Sequence, residues 1–327
     1  MNKYIGIVGG GQLGRMLAMA AKKLGFGVAV LDPTHKSPAS EFADTVIVKS
    51  FKDPEGIREL AKISDFITFE IESANAKVLE ELVLEGHNIN PAPRILSIIK
   101  DKFNQKKFLE GHNILVAPSV QVKNRNEIII AVQEFGYPIL LKSRFDAYDG
   151  RGNALIRDES EIDFALERLA ISHGDLYVEK FIPFVKELAV VVARGNLSEI
   201  VVYPPVETIH KNNICHLVIA QAPVDSGVIK KAEKLAIDII SILNGVGVFA
   251  IEMFLTFSGE LIVNEIAPRV HNSGHQTIEA NETSQFEQQI RAIAGLPLGP
   301  VSPKTPYAVM INILGERQGV ANISGVE

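Results

Sequence analysis

Short apolar runs alternate with amphipathic stretches through the first part of the chain. Tyr4 to Val8 is an apolar run, a glycine turn follows from Gly9 to Gly14, and Arg15 to Leu24 repeats its apolar positions at helical spacing. Phe26 to Leu31 predicts the next strand, ending at Asp32, and Asp65 to Glu70 a later one. Strands that alternate with helices predict a parallel sheet, here with room for roughly four strands. The pattern breaks at Pro91-Ala-Pro93, before a helix that begins near Arg94.

Beyond a helical stretch from Ile95 to Leu109, strands come in runs. They are predicted at Tyr137 to Lys142, Ala154 to Ile156, Leu176 to Phe181, Glu187 to Ala193 and Glu199 to Val206. Helices are predicted at Glu159 to Ala170 and Val228 to Leu243. This order predicts an α+β body built largely on antiparallel sheet, joined to the α/β first unit.

The segment Phe249 to Pro268 reads as two strands about a Ser258-Gly259 turn. A two-residue loop between Phe257 and Glu260 pairs Thr256 with Leu261, Phe254 with Val263 and Glu252 with Glu265. Like charges directly opposite are destabilising, so two glutamates facing each other among apolar neighbours point to a bound cation. Oxygen ligands without His or Cys suit Mg²⁺ shared with substrate phosphates, hence a nucleotide. The alternative is an edge hairpin whose glutamates face water.

Composition narrows the class. Hydrophobic residues make up 46% and charged residues 22% of 327 positions, as in a folded globular protein large enough for more than one packed unit. No apolar run is long enough to span a bilayer, and the chain enters its first strand without a signal-peptide pattern, so we expect a cytoplasmic protein without membrane contact. Cys215 is the only cysteine, which excludes an intrachain disulfide and a CxxC zinc site. A net charge of -6 argues against general nucleic-acid binding while leaving room for a local basic pocket.

Gly9-Gly-Gly-Gln-Leu-Gly14 matches GxGxxG between a strand and a helix, with Asp32 placed as a ribose-binding acid would be. An NAD-dependent oxidoreductase is one reading, a sugar-phosphate cradle a second, and a purely structural tight turn a third. The early break at Pro91 leaves only half of a dinucleotide fold. Further on, Lys142 ends a strand before a loop containing Gly150 and Gly152. With no Walker motif, this suits a mobile phosphate cover. Leu176 to Ile182 could serve as an adenine-binding edge, with Glu187 on the ribose. Each piece has an ordinary counterpart in a solvated lysine or a plain loop.

Lysine strand, glycine loop, acidic hinge and paired carboxylates, in that order, resemble the ATP-grasp superfamily. The resemblance narrows at Asn264-Glu-Ile-Ala-Pro-Arg-Val-His-Asn-Ser-Gly-His-Gln-Thr-Ile278, with Gly9 to Arg15, Phe69-Glu-Ile-Glu72, Tyr148-Asp-Gly-Arg-Gly-Asn153 and Glu207-Thr-Ile-His-Lys-Asn-Asn-Ile-Cys215. These are similar to motifs of the 5-(carboxyamino)imidazole ribonucleotide synthase family, from Ile5 to about Gly315. Members carboxylate 5-aminoimidazole ribonucleotide (AIR) with ATP and bicarbonate through carboxyphosphate. The resemblance implies an N-terminal Rossmann-like domain over 1–93, a small lid domain with its lead-in helix over 94–183, a large domain over 184–300, and an incomplete C-terminal subdomain from 301 to 327.

It also implies residue roles. Glu252 and Glu265 would hold Mg²⁺. Lys102 and Lys142 would meet ATP phosphates, Glu179, Lys180 and Phe181 the adenine, and Glu187 the ribose, with His210, Phe254 and Asn264 also lining the nucleotide. Asp149 would be the base acting on AIR. Arg269 would help neutralise charge in the phosphoryl transfer, and His271, with Asn272, Ser273 and Gly274, would hold bicarbonate or its phosphate. Gly10, Gln12, Leu13, Glu70, Glu72, Tyr148 and Arg151 would surround AIR. His271 and His275 stand four apart, but the Asn-Ser-Gly between them disfavours a helix and a zinc pair.

Two departures stand out. The lid reads Phe145-Asp-Ala147 where many members carry Gly-Gly, and the family's basic tail, which binds the AIR phosphate, is missing after Met310 to Gly315. We therefore expect weakened AIR binding with ATP binding retained. Competing readings are a formate-using glycinamide ribonucleotide transformylase, a biotin carboxylase and a non-catalytic nucleotide-binding protein. A homodimer is expected from the family.

Overall fold

A computed structural model describes residues 3–145, 152–170, 175–211 and 213–315. Its first sheet is parallel and contains β1 (Tyr4–Val8), β2 (Gly27–Leu31), β3 (Thr45–Ile47), β4 (Phe66–Phe69) and β5 (Asn88–Ile89), in the order β3-β2-β1-β4-β5. Five strands form instead of the roughly four expected, because the two edge strands are too short to show as apolar runs. Helices α1 (Gln12–Lys23), α2 (Pro54–Lys62) and α3 (Ala76–Leu84) follow β1, β3 and β4. Covered on both faces, the central strand buries Ile5, Ile7 and Val8 completely.

The single helical stretch expected from Ile95 to Leu109 is two helices, α4 (Pro93–Ile99) and α5 (Lys102–Gly111). Asp101 separates them, because its carboxylate accepts the N–H groups of Phe103 and Asn104 as an N-cap.

An antiparallel sheet follows, in the order β6 (Ser119–Val122), β9 (Leu176–Lys180), β7 (Ile139–Ser143), β8 (Asn153–Ile156). Helices α6 (Arg125–Phe135) and α7 (Ile162–Ala170) cover it, and Ile128, Ile139, Leu141, Ile156, Ile162 and Val178 form their shared core.

The third sheet holds β10 (Lys186–Arg194), β11 (Ile200–Val202), β12 (Val206–Lys211), β13 (Ile214–Ala220), β14 (Gly247–Leu255), β15 (Leu261–Ala267) and β16 (Ala308–Ile311). Its order is β15-β14-β10-β12-β13-β16, with β11 paired to β10. The one strand expected from Glu199 to Val206 is two, split at Pro204-Pro205, where no N–H is available for a ladder. Helix α8 (Ser226–Leu243) packs on one face, while α9 (Thr277–Ala280) and α10 (Gln285–Ile293) precede β16. The side chains of β10 alternate between two cores. Leu188, Val190 and Val192 meet α8, whereas Val191 and Ala193 join Ile5, Leu17 and Phe286, which binds the first sheet to the third.

The hairpin that carries the two glutamates corrects the expected register. Its pairs are Leu255–Leu261, Phe254–Ile262 and Met253–Val263, one residue out of step with the two-residue turn. Thr256 to Glu260 form the loop, closed by hydrogen bonds from Thr256 N to Glu260 O and from Gly259 N to Thr256 O, with Gly259 at φ +80°. A bulge then places Asn264 as an extra residue on β15 and restores the Glu252–Glu265 pair.

Candidate active site

Glu252 and Glu265 face each other across β14 and β15. Burial, and then the charge of Glu265, push the Glu252 carboxyl up to about 7. Burial acts on Glu265 in the same sense, but the Lys102 ammonium, 3.1 Å away, overrides it and holds this carboxyl down at about 2. Lys102 lies at the start of α5 and also reaches Glu72, at 3.7 Å; these two carboxylates outweigh burial and raise its pKa. Glu72 in turn receives Arg269 at 3.1 Å. His271 Nε2 stands 3.7 Å from Glu252, and burial, with Arg269 beside it, lowers this imidazole to about 3, so it is neutral.

This donor set fits Mg²⁺. Burial and the like charge of Glu265 push Glu252 towards protonation, a penalty that a divalent cation between the two carboxylates would relieve, and their hard oxygens suit it. Among the described residues no group of three or more His, Cys, Asp or Glu has the geometry of a metal centre. A metal held by two carboxylates would take its other ligands from phosphate and water.

A second charged cluster forms between β7, β9 and α5. Lys142, on β7, donates to Glu179 of β9 at 2.9 Å. Both Glu179 oxygens are in use, because Lys106 of α5 sits 2.8 Å from the other. The two ammonium groups hold the Glu179 carboxyl below its usual range even though burial opposes this. Lys180 is exposed and Phe181 half-buried beyond the end of the strand. Glu187 contacts His210 across β10 and β12 and outweighs burial in raising the imidazole pKa. Glu187 is also the register partner of Phe254, whose ring stacks on Phe184 at 4.7 Å. Asn264, in the bulge, offers its carbonyl to Lys106 at 3.2 Å.

Between the first and third sheets opens a cavity of about 880 Å³, whose walls include Gln12, Leu13, Glu70, Glu72, Arg269 and His271. The glycine turn beside it binds the chain's own carboxylates. Gly11 N and Gly14 N donate to Glu70 at 2.7 and 3.1 Å, and Gly10 N donates to Asp32 at 2.9 Å. Glu70 therefore caps α1, and the acid that a dinucleotide reading assigns to a ribose holds the turn. Gln12 and Leu13, not Gly10, line the cavity.

His271 opens a single 3₁₀ turn, Asn272–Gly274, in which Ser273 is fully buried and its hydroxyl lies 3.0 Å from His271 Nδ1. Asn272 lines the cavity and accepts from Asn312 at 2.9 Å. A Cβ on Gly274 would stand 2.5 Å from Gln285 Oε1, so a side chain there would displace the glutamine. Tyr148, Asp149 and Arg151 lie outside the described residues.

Sequence reasoning missed the groups that mount these side chains. Gln105 holds both the N–H and the carbonyl of Ile266, and Gln285 does the same for His271. Arg144 forms a two-point pair with Asp101, at 3.1 and 2.5 Å. A polar residue on an amphipathic helix carries no local mark of burial, so nothing at Gln105 or Lys106 distinguished them from surface positions.

The comparisons agree with this architecture. A ribonucleotide synthetase preATP-grasp domain matches residues 1–100, and an ATP-grasp domain matches residues 107–286. The N5-carboxyaminoimidazole ribonucleotide synthase of Bacillus subtilis (strain 168) is 44% identical over 313 residues, covering 95% of this chain and 81% of the relative. The phosphoribosylaminoimidazole carboxylase of Ogataea methanolica is 46% identical over 322 residues, and the chain spans only 59% of that longer protein. The N5-carboxyaminoimidazole synthase of Aspergillus clavatus, solved in complex with ADP and 5-aminoimidazole ribonucleotide, superposes with a TM-score of 0.89 at 37% identity, over 96% of this chain and 83% of that one. With both domain models matched in order over a common fold, the chain belongs to the ATP-grasp family and, within it, to the N5-carboxyaminoimidazole ribonucleotide synthases.

Proposed function

We propose that this chain carboxylates AIR on its exocyclic amine, using ATP and bicarbonate through carboxyphosphate, and releases 5-(carboxyamino)imidazole ribonucleotide, ADP and phosphate in de novo purine biosynthesis. The observation that carries the reading is the opposed Glu252–Glu265 pair, set beside Lys102 and linked through Glu72 and Arg269 to the large cavity. The Bacillus subtilis and Aspergillus clavatus relatives bear this activity in their names. In this reading 1–93 forms the first domain, 94–183 the lid, 184–300 the large domain and 301–327 belongs to a C-terminal subdomain. The protein works in the cytoplasm as a homodimer.

Glu252 and Glu265 would hold Mg²⁺, which would supply charge neutralisation to the nucleotide phosphates. Lys102 and Lys142 bind those phosphates, with Glu179, Lys180 and Phe181 at the adenine, Glu187 and His210 at the ribose, and Phe254 and Asn264 along the nucleotide. Bicarbonate oxygen attacks the γ-phosphorus and ADP leaves, a transfer that needs positioning and charge stabilisation more than covalent help. Arg269 offers a fixed cation. A neutral His271, with Asn272, Ser273 and Gly274, orients the bicarbonate. Gln12, Leu13, Glu70 and Glu72 border AIR together with Tyr148 and Arg151. Carboxyphosphate then breaks its C–O bond to phosphate and releases CO₂ beside AIR; the AIR amine nitrogen adds to that carbon, and Asp149 takes the proton from the nitrogen as the new C–N bond forms.

The test is Mg²⁺-dependent ADP release with AIR and bicarbonate omitted in turn. ADP formation that requires both, with carboxylated product, is expected. ADP release indifferent to AIR would point to another acceptor and overturn the substrate assignment.

A further inference from the structure

Two ammonium groups share one buried carboxylate at the nucleotide side. Glu179 Oε1 receives Lys142 at 2.9 Å and Oε2 receives Lys106 at 2.8 Å, and Glu179 and Lys106 are each 1% exposed. The two lysines are not equivalent. Lys106 also donates to the carbonyl of Asn264, in the bulge beside Glu265, from a helix whose adjacent Gln105 grips Ile266. It is fixed between the sheet of β6 to β9 and the hairpin that carries Glu252 and Glu265. Lys142 stands at the end of β7, next to the lid loop, and among the described residues Glu179 is its only ion-pair partner.

We propose that Lys106 is the resident counter-ion of Glu179 and thereby frees Lys142 to bind a nucleotide phosphate. The inference rests on the nucleotide reading given above. When a phosphate draws Lys142 away, Glu179 would otherwise remain as a lone buried carboxylate, a state much costlier than a paired one. Lys106 removes that penalty. Two cations on one anion also leave a surplus positive charge in a wall of low dielectric, where attraction for phosphate is strongest. Lys106 is a poor phosphate ligand itself, since its ammonium already serves Glu179 and Asn264. It acts through Lys142, as a positioning residue.

The experiment measures Mg²⁺-ATP binding by calorimetry, with thermal unfolding in parallel, for the wild type, Lys106→Met, Lys106→Arg, Glu179→Gln and the Lys106→Met/Glu179→Gln double variant. Lys106→Met should weaken ATP about tenfold or more, because Lys142 is then committed to Glu179, while Lys106→Arg should retain most of the affinity. A neutral residue at 179 needs no counter-ion, so the double variant should bind within about threefold of Glu179→Gln alone. A packing role predicts the reverse, with the double variant at least as impaired as Lys106→Met and affinities that follow the melting temperatures. Wild-type affinity in a folded Lys106→Met, or no recovery in the double variant, would overturn the proposal. Should Lys106→Met fail to fold, a folded, ATP-binding double variant supports the proposal and an unfolded one refutes it. A wild type that binds no ATP would refute the nucleotide reading itself, a separate result.

Discussion

Strand β15 lies at the edge of its sheet, so the outward N–H and carbonyl groups next to Glu265 have no neighbouring strand. The Gln105 carboxamide takes that place. Its Oε1 accepts from Ile266 N at 2.8 Å, and its Nε2 donates to Ile266 O at 3.1 Å and Ile99 O at 3.3 Å, with the residue 1% exposed. Gln105→Met preserves volume and leaves these backbone groups unpaired. Each buried unsatisfied group costs about 1–3 kcal/mol, and removing the carboxamide's own desolvation offsets part of the sum, so a net loss of about 2–4 kcal/mol is expected. Gln105→Glu keeps the acceptor but turns an anion towards two carbonyls, which raises its folded pKa above that of the unfolded chain. Its stability is therefore recovered below the unfolded carboxyl pKa and lost as pH rises through the folded one. Urea unfolding, followed by circular dichroism at about pH 7.5 and about pH 5, should rank wild type above Met above Glu at the higher pH, with Glu recovering at the lower. A Met variant that loses less than about 1 kcal/mol, or a Glu variant without pH dependence relative to wild type, would refute the idea that this side chain substitutes for a strand.

His275 stacks on Phe286 with ring centroids 5.7 Å apart, and burial lowers its pKa from the usual 6.5 to about 4. The folded state keeps this ring neutral while the unfolded chain protonates, so stability falls as pH drops from 6.5 towards about 4. The loss reaches up to about 3 kcal/mol and is absent in His275→Gln, which denaturant titrations across that range would show; equal pH slopes would count against it. Glu252→Gln removes the like-charge pair with Glu265, so the metal-free protein should gain up to about 1 kcal/mol while Mg²⁺-dependent nucleotide binding weakens. Melting curves with and without Mg²⁺-ATP separate the two effects, and a variant that keeps full Mg²⁺ dependence would remove Glu252 from the metal site.

Local patterns were enough to identify a parallel first unit, a mostly antiparallel body and a facing pair of glutamates, because side-chain periodicity of two or of 3.6 is written directly into a chain. The motifs added the family to which the chain belongs. Even so, the turn assumed for the hairpin put its strands one residue out of register, and the glutamates face each other only because the bulge at Asn264 takes up the difference. Register depends on how two strands pack, and single-strand periodicity cannot show an inserted residue. The same limit applies to the glycine turn, whose amides are held by Glu70 and Asp32 from separate strands of the sheet. Gln105, Lys106 and Gln285 were the hardest to find. They are polar residues on helices that would normally face water, and they are buried because other segments, distant in sequence, close over them and offer unpaired backbone or charge. Hydrophobic pattern is a property of neighbours along the chain, so it determined the elements; partners for buried polar groups come from across the fold, so only tertiary structure decided how the site is held.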